Sequence, residues 1–177
     1  MACDISKGRL VPCKNAGGLK AIHFINFNSA LYEDLELDAT TEEVTGFSSS
    51  NISLYKYELR GANNMIETGE TNGDNNSAFW TGTGALQLAS QNAVTRKEVK
   101  LMAYGRPHVI TEGWDGVFKL YGAQNGCNVA VNTDSGTNLG DFNGYSVNIT
   151  CSEKEPAFIV SSAIIGDTFE STIVVGV

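Results

Sequence analysis

The side chains of this sequence best suited to chemistry are two histidines, four cysteines and several acidic and amide residues in polar stretches. His23 stands in the run Leu19–Phe27 and His108 follows Pro107. Neither belongs to an H-x-x-x-H or H-E-x-x-H pattern, the spacing that puts two metal ligands or a ligand and a base on one helix face. Each reads as a hydrogen-bonded strand histidine. Cys3, Cys13, Cys127 and Cys151 include no C-x-x-C pair, so the spacing of a zinc site is missing. The opening residues lack the apolar run of a signal peptide, so synthesis in a reducing cytoplasm and free thiols are expected, with a Cys127–Cys151 bridge as the alternative.

The remaining polar groups point away from catalysis. Asn72, Asp74, Asn75 and Asn76 resemble part of a calcium loop, but the bidentate Glu at its twelfth position and the flanking helices are missing. Asp134, Asp141 and Asn143 could hold a hard cation, although such residues more commonly build turns. Glu33, Asp34, Glu36, Asp38, Glu42 and Glu43 form an acidic run that reads as a solubilising face, not a pair of glycosidase carboxylates. There is no G-x-S-x-G elbow, and Gly82-Thr83-Gly84 does not lead into the G-K-[ST] of a phosphate loop. Trp80 and Trp114 could form a sugar platform, but tryptophans more often anchor a core or an interface. No enzyme activity, cofactor or metal is therefore expected.

The elements that carry these residues are mostly strands. Leu19–Phe27, Ile52–Leu59, Ala78–Leu88, His108–Thr111, Val117–Gly122, Cys127–Val131 and Gly144–Cys151 are rich in β-branched and aromatic residues with a period of two. The last alternates cleanly, with Tyr145, Val147, Ile149 and Cys151 inward. Gly82 and Gly84 mark a bulge or a close backbone approach. Asp115-Gly116 is the turn of a hairpin. One helix is expected from Thr95, with a Thr95/Glu98 capping box, a Val94–Val99 staple and an apolar stripe of Val99, Met102 and Ala103, ended by Gly105 and Pro107. Ser29–Thr45 reads as an exposed acidic loop with at most one short strand, and Asn63–Ser77 and Asn132–Asn143 as long polar loops. The tail segments Ala157–Val160 and Thr172–Val175 are expected to be strands that pair with a neighbouring subunit.

Composition fits this pattern. The 177 residues make about one domain, large enough for its own core. No apolar run reaches the length of a membrane span. The formal net charge of −8 leaves no basic face for phosphates, because Arg96, Lys97, Lys100 and Arg106 are interleaved with Glu98 on a solvated helix face. An acidic wall would instead repel a passing duplex and let it slide. The expectation is a mainly β protein, a β-sandwich or barrel with one packed α-helix and no βαβ alternation.

The order of features resembles the tail tube proteins of tailed bacteriophages: Phe79-Trp80 leading to Ala85–Leu88, the helix Thr95–Met102 with Tyr104-Gly105-Arg106-Pro107, the Asp115-Gly116 hairpin, and the loop Ser135–Tyr145 before Cys151 and Glu153–Pro156. The opening, with Ile5–Arg9 and Pro12-Cys13-Lys14, is also similar to phage virion proteins. The resemblance implies a single tail-tube-like domain over 1–177, with an N-terminal arm (about 1–18) and a C-terminal extension (about 157–177). It implies a subunit made in the host cytoplasm that self-assembles into stacked hexameric rings of a virion tail. Other tail proteins would be partners, and genomic DNA would pass the lumen without specific binding or any membrane. Met65, Ile66, Asn72, Asp74, Phe79, Trp80, Cys3 and Leu10 are the expected inter-subunit contacts. A capsid decoration protein, a head–tail connector and a carbohydrate-binding β-sandwich are the competing readings.

Overall fold

The computed structural model describes residues 7–9, 14–48, 52–74 and 76–167. They form β1 (Leu19–Ile25), β2 (Leu35–Leu37), β3 (Val44–Phe47), β4 (Tyr55–Glu58), β5 (Asn64–Asn72), β6 (Ser77–Ala89), α1 (Ala93–Tyr104), β7 (His108–Gly113), β8 (Phe118–Tyr121), β9 (Cys127–Asp134), β10 (Gly144–Glu153), β11 (Phe158–Val160) and α2 (Ser162–Asp167). A seven-stranded sheet runs β2-β3-β11-β8-β7-β1-β4, and a four-stranded sheet runs β5-β6-β10-β9. All pairings are antiparallel except β11 with β3. The fold is therefore mainly β, a two-sheet sandwich with a packed helix, as its alternating strands require.

Two apolar cores sit on opposite faces of the larger sheet. Ile22, Phe24, Val109 and Tyr121 face Leu86, Val129, Val147 and Ile149 of the smaller sheet, and α1 adds Val99 and Met102. On the other face Ile25, Ile110 and Leu120 meet Leu31, Val44, Leu54, Val160 and Ile164. Burial on both faces explains why β1 reads as an almost continuous apolar run, whereas β10 alternates. Glycines make room on the covered face of the smaller sheet: a Cβ on Gly82 would sit 3.0 Å from the Tyr121 ring of the larger sheet, and one on Gly84 would lie 2.6 Å from Sδ of Met65, its partner on neighbouring β5. Both glycines lie in continuously paired β6, so they mark close approach and not a bulge.

Several expectations are corrected. Asn63–Ser77 is not a loop: β5 pairs with β6 from Asn64↔Ala85 to Asn72↔Ser77. Its asparagines and glycines have low strand propensity, but Met65 and Glu67 turn inward and the long partner β6 supplies the ladder. The acidic stretch carries two strands, β2 and β3, and buries Leu31 and Val44 completely. The fourth strand is shorter than expected, and Leu54 before it is buried in the second core. The helix begins at Ala93, capped by Asn92, whose side-chain oxygen accepts from the Thr95 amide at 2.7 Å. Thr95 is thus inside the helix, Val94 is 54% exposed, and neither the capping box nor the staple forms. Ala103 is exposed, so the buried stripe is Val99 and Met102. Phe158–Val160 is not left for a neighbour; it pairs with β8 and β3 of its own chain. Thr172–Val175 lies outside the described residues. For Cys127 and Cys151 the expected free thiols are replaced by a disulfide, joining residues directly opposite each other on β9 and β10, whereas Cys3 and Cys13 lie outside the described residues.

Candidate assembly surface

The smaller sheet has one covered and one uncovered face. Gly82, Gly84, Leu86 and Leu88 of β6 and Tyr145, Val147, Ile149 and Cys151 of β10 point to the first core, so their neighbours in sequence point out. Register aligns the outward residues in rows. Ile66, Thr83, Thr150 and Asn128 make one row across β5-β6-β10-β9, and Asn64, Ala85, Asn148 and Ala130 make the next. Gln87, Ser146 and Asn132 flank them on one side, and Thr68, Thr81 and Ser152 on the other. No charged side chain stands in these four rows; the acidic groups of this face are Glu70, opposite Phe79 at one end, and Asp134, opposite Gly144 at the other. The outward residues of the clean alternation in β10, Ser146, Asn148 and Thr150, are the sequence signal that locates this face.

Both edges of this sheet, β5 and β9, lack a further strand among the described residues. The β5 edge contains no proline, no lysine and no bulge; its charges are Glu67, turned inward, and Glu70.

The expected contact residues separate into three groups. Ile66 (54% exposed) and Phe79 (39% exposed) stand on the outward face, and Asn72 and Asp74 are exposed at the tip of the β5–β6 hairpin. There the Asp74 amide donates to the Asn72 side chain at 2.9 Å, closing a turn and not a cation loop. Met65 and Trp80 point the other way. Met65 packs on the first core, and Trp80 lies over Gly69, where an added Cβ would meet its ring at 3.0 Å. Those two side chains serve the chain's own packing. Cys3 and Leu10 lie outside the described residues.

Trp80 also borders a small cavity of about 20 Å³ with Tyr32, Glu67, Glu153 and Glu155. Its carboxylates are engaged within the chain. Glu67 accepts the Ala157 amide, Glu153 accepts the amides of Gln124 (3.2 Å) and Asn125 (2.9 Å), and Glu155 accepts the Tyr32 hydroxyl (3.2 Å). Burial raises the Glu153 carboxyl above its usual range. These contacts tie the hairpin and β10 to the segment entering β11. Trp114 sits apart from this cluster in its exposed β7–β8 turn, with its amide donating to Gly18 O.

The histidines lie on one face of the larger sheet, at second-core positions. His108 is fully buried, with Nδ1 at the Gly122 carbonyl and Nε2 accepting the Asn28 amide at 2.9 Å. Its ring stacks on Phe27 (5.2 Å), over which Arg106 lies at 4.3 Å. Burial lowers its pKa. His23 is equally buried, opposite Lys56 on β4, and its Nε2 is 3.5 Å from Glu112 Oε2. Glu112 also receives Lys20 and faces Lys56 Nζ at 3.6 Å. A bulge between Leu19 and Ala21 lets Leu19 and Ile22 share the first core and swings Lys20 to the Glu112 side. Burial pushes the Glu112 carboxyl up, but the Lys20 hydrogen bond and the two lysine charges outweigh it, and the net shift is downward. Buried Glu112 and His23 are thus joined across three strands by two lysines that reach solvent, Lys20 with a side chain about half exposed.

Compared with known protein families, curated proteins and solved structures, the chain matches none.

Among the described residues no group of three or more His, Cys, Asp and Glu side chains is placed to share a metal ion. Asp141 accepts the amides of Thr137 (3.0 Å) and Asn138 (2.6 Å), the turn-building use expected of that loop. No helix among the described residues is long and apolar enough to cross a membrane. Among the described residues the outward face of the smaller sheet, with its uncharged central rows and two open edges, is an ordered surface left without a partner.

Proposed function

We propose that this chain is a virion structural protein, the tube subunit of a bacteriophage tail, which self-assembles into stacked hexameric rings. The reading is carried by one observation: β5 and β9, the open edges of the four-stranded sheet, run in opposite directions. Four antiparallel strands alternate in direction. When copies are related by rotation about a common axis, β9 of one meets β5 of the next in antiparallel fashion. The ladder then continues without a break. Repetition of that heterologous contact closes a ring and removes every open edge of the sheet.

The larger sheet and α1 cover one face of such a barrel, so the uncharged rows face the lumen. A wall of Thr, Ser, Asn and Ala offers no lysine or arginine to hold phosphates, and DNA would pass without sequence-specific or salt-dependent attachment. The exposed hairpin tip at Asn72 and Asp74 would reach the next ring.

Electron microscopy of the purified protein tests the reading. Rings or tubes are expected. A chain that stays monomeric at high concentration overturns it, and monomers that decorate capsids without self-stacking would support the decoration or connector role instead.

A further inference from the structure

The two ends of the larger sheet differ in cover and in charge. Past β8 the sheet continues into β11, β3 and β2, and no residue of these three strands belongs to the first core. The smaller sheet stops short of them. Glu67 of its edge strand β5 reaches the Ala157 amide, just before β11. On the first-core side, β11, β3 and β2 therefore form an uncovered ledge. Phe158 and Val160 pack in the second core, so Ile159 between them faces the ledge and is 49% exposed. Leu35 and Phe47 likewise pack in the second core, and the Glu36 carboxylate lies over Gly46 on the ledge side, in the space a Cβ would fill. Around it Asp38 and Glu42 are exposed and Glu43 is half-buried. Among the described residues none of these four carboxylates forms an ion pair. Lys119, opposite Ile159 on β8, bounds the ledge on its inner side.

The opposite side of the sandwich carries α1, which packs against β9 and lies beside β4. Val99 and Met102 form its inner side, and Glu98 turns toward Tyr57 in the groove beside β4. The outer side is not simply polar. Val94, Leu101 and Tyr104 recur at i, i+7 and i+10 on one stripe, and all three are exposed, Tyr104 to 80%. Lys97 stands between them at i+3, and Lys100 Nζ lies over the Tyr104 ring at 5.8 Å. Among the described residues neither lysine pairs with a carboxylate.

The proposed junction brings these two surfaces together. α1 sits on the β9 side of the sandwich and the ledge on the β5 side. When β9 of one copy pairs with β5 of the next, α1 enters on the inner side of the joined sheet, because Val99 and Met102 belong to the core between the sheets. That position lies over the neighbour's ledge. Three strands at the usual spacing are ~14 Å wide. A helix with its side chains is ~10–12 Å across, so the ledge seats one helix.

We infer that the outer stripe of α1 in one copy docks on the β11-β3-β2 ledge of the next, with Leu101 and Tyr104 covering Ile159 and Lys97 and Lys100 facing Glu36 and Glu43. This rests on the proposed ring assembly and adds a contact separate from the β5–β9 ladder. Opposite charges on unlike surfaces also fix the head-to-tail order, since helix on helix or ledge on ledge would set like charges together.

Two full-length variants test it: Lys97→Glu with Lys100→Glu on the helix, and Glu36→Lys with Glu43→Lys on the ledge. Each sets like charges face to face. Each alone should need about tenfold more protein than the parent to assemble, with an unchanged circular dichroism spectrum. Mixed in equal amounts, the two restore opposite charges around an alternating ring, and assembly should return to near the parent's concentration. Folded variants that each assemble like the parent, or a mixture no better than its components, overturn the docking and leave the ladder standing. A carbodiimide, which couples lysines directly to carboxylates, provides a second measurement on the assembled parent and needs no variant to fold. It should join Lys97 or Lys100 to Glu36 or Glu43, always between light-isotope and heavy-isotope copies. Absence of those crosslinks overturns the docking. A parent chain that never assembles overturns both proposals.

Discussion

Glu112 Oε2 lies 3.5 Å from His23 Nε2, and the same carboxylate holds Lys20 and approaches Lys56, so one buried anion joins β7, β1 and β4. Removing the anion leaves His23 and two lysines facing one another. Glu112→Gln should destabilise the fold by about 1 kcal/mol, a cost kept modest because Lys20 and Lys56 reach water and can be solvated in the anion's place. Urea unfolding at neutral pH measures it, and an unchanged midpoint would show that the cluster carries no stability.

Acid should act on this face in two windows. His23 and His108 both have pKa values lowered from 6.5, chiefly by burial. The unfolded chain therefore takes up protons first, and stability falls as pH drops below about 6.5 toward the folded values. Glu112 is lowered from 4.5, so its contribution is present above that value and is lost as pH falls below it. Unfolding free energies measured from pH 8 to pH 3 should decline in both ranges. A His23→Phe, His108→Phe double variant that still folds should lose the upper decline.

The Cys127–Cys151 bridge closes a loop with a sequence separation of 24. On the chain-entropy model, reducing it costs about 3 kcal/mol. Denaturant unfolding of the Cys127→Ser, Cys151→Ser double variant against the oxidised protein should show this loss. Mass spectrometry of the alkylated, non-reduced protein should find both thiols protected.

Gly126 has φ +70, and a Cβ there would lie 2.4 Å from the Arg106 carbonyl oxygen. Gly126→Ala combines a left-handed backbone with a backbone clash and should cost about 1–3 kcal/mol. Thermal unfolding checks it. A melting point within a degree of the parent would mean that the turn before β9 gives way to admit the side chain.

Thr150 stands in the uncharged central rows of the outward face. Thr150→Lys should change monomer stability by no more than about 0.5 kcal/mol, as surface substitutions do. If the face lines a lumen, tubes of this variant still form and gain salt-sensitive binding of duplex DNA. A variant that folds but no longer assembles would show that the face is buried between copies.

Much of this was readable from local pattern. The alternation of Tyr145, Val147, Ile149 and Cys151, the Asp115-Gly116 hairpin turn and the helix stop at Gly105 all depend on neighbours a few residues away. Each recurs in the fold. The β5 strand was hidden because Asn64, Gly69 and Asn72 carry turn signals, and only a partner at Ala78–Ala85 overrides them. The helix cap was misplaced because Asn92 and Thr95 are both good caps, and packing of Val99 and Met102 selects between them.

Local residue chemistry thus determined the class of protein: alternating β-branched strands, one short helix, and no convergent pattern of ligands or nucleophiles. Tertiary structure decided which residues meet across distance. It brought Cys127 opposite Cys151, closed Phe158–Val160 onto its own sheet, and set Ile66, Thr83, Thr150 and Asn128 in one row. The physical reason is register. A period of two tells which residues share a face of one strand, but the neighbour of each is fixed only when strands far apart in the chain are hydrogen-bonded side by side.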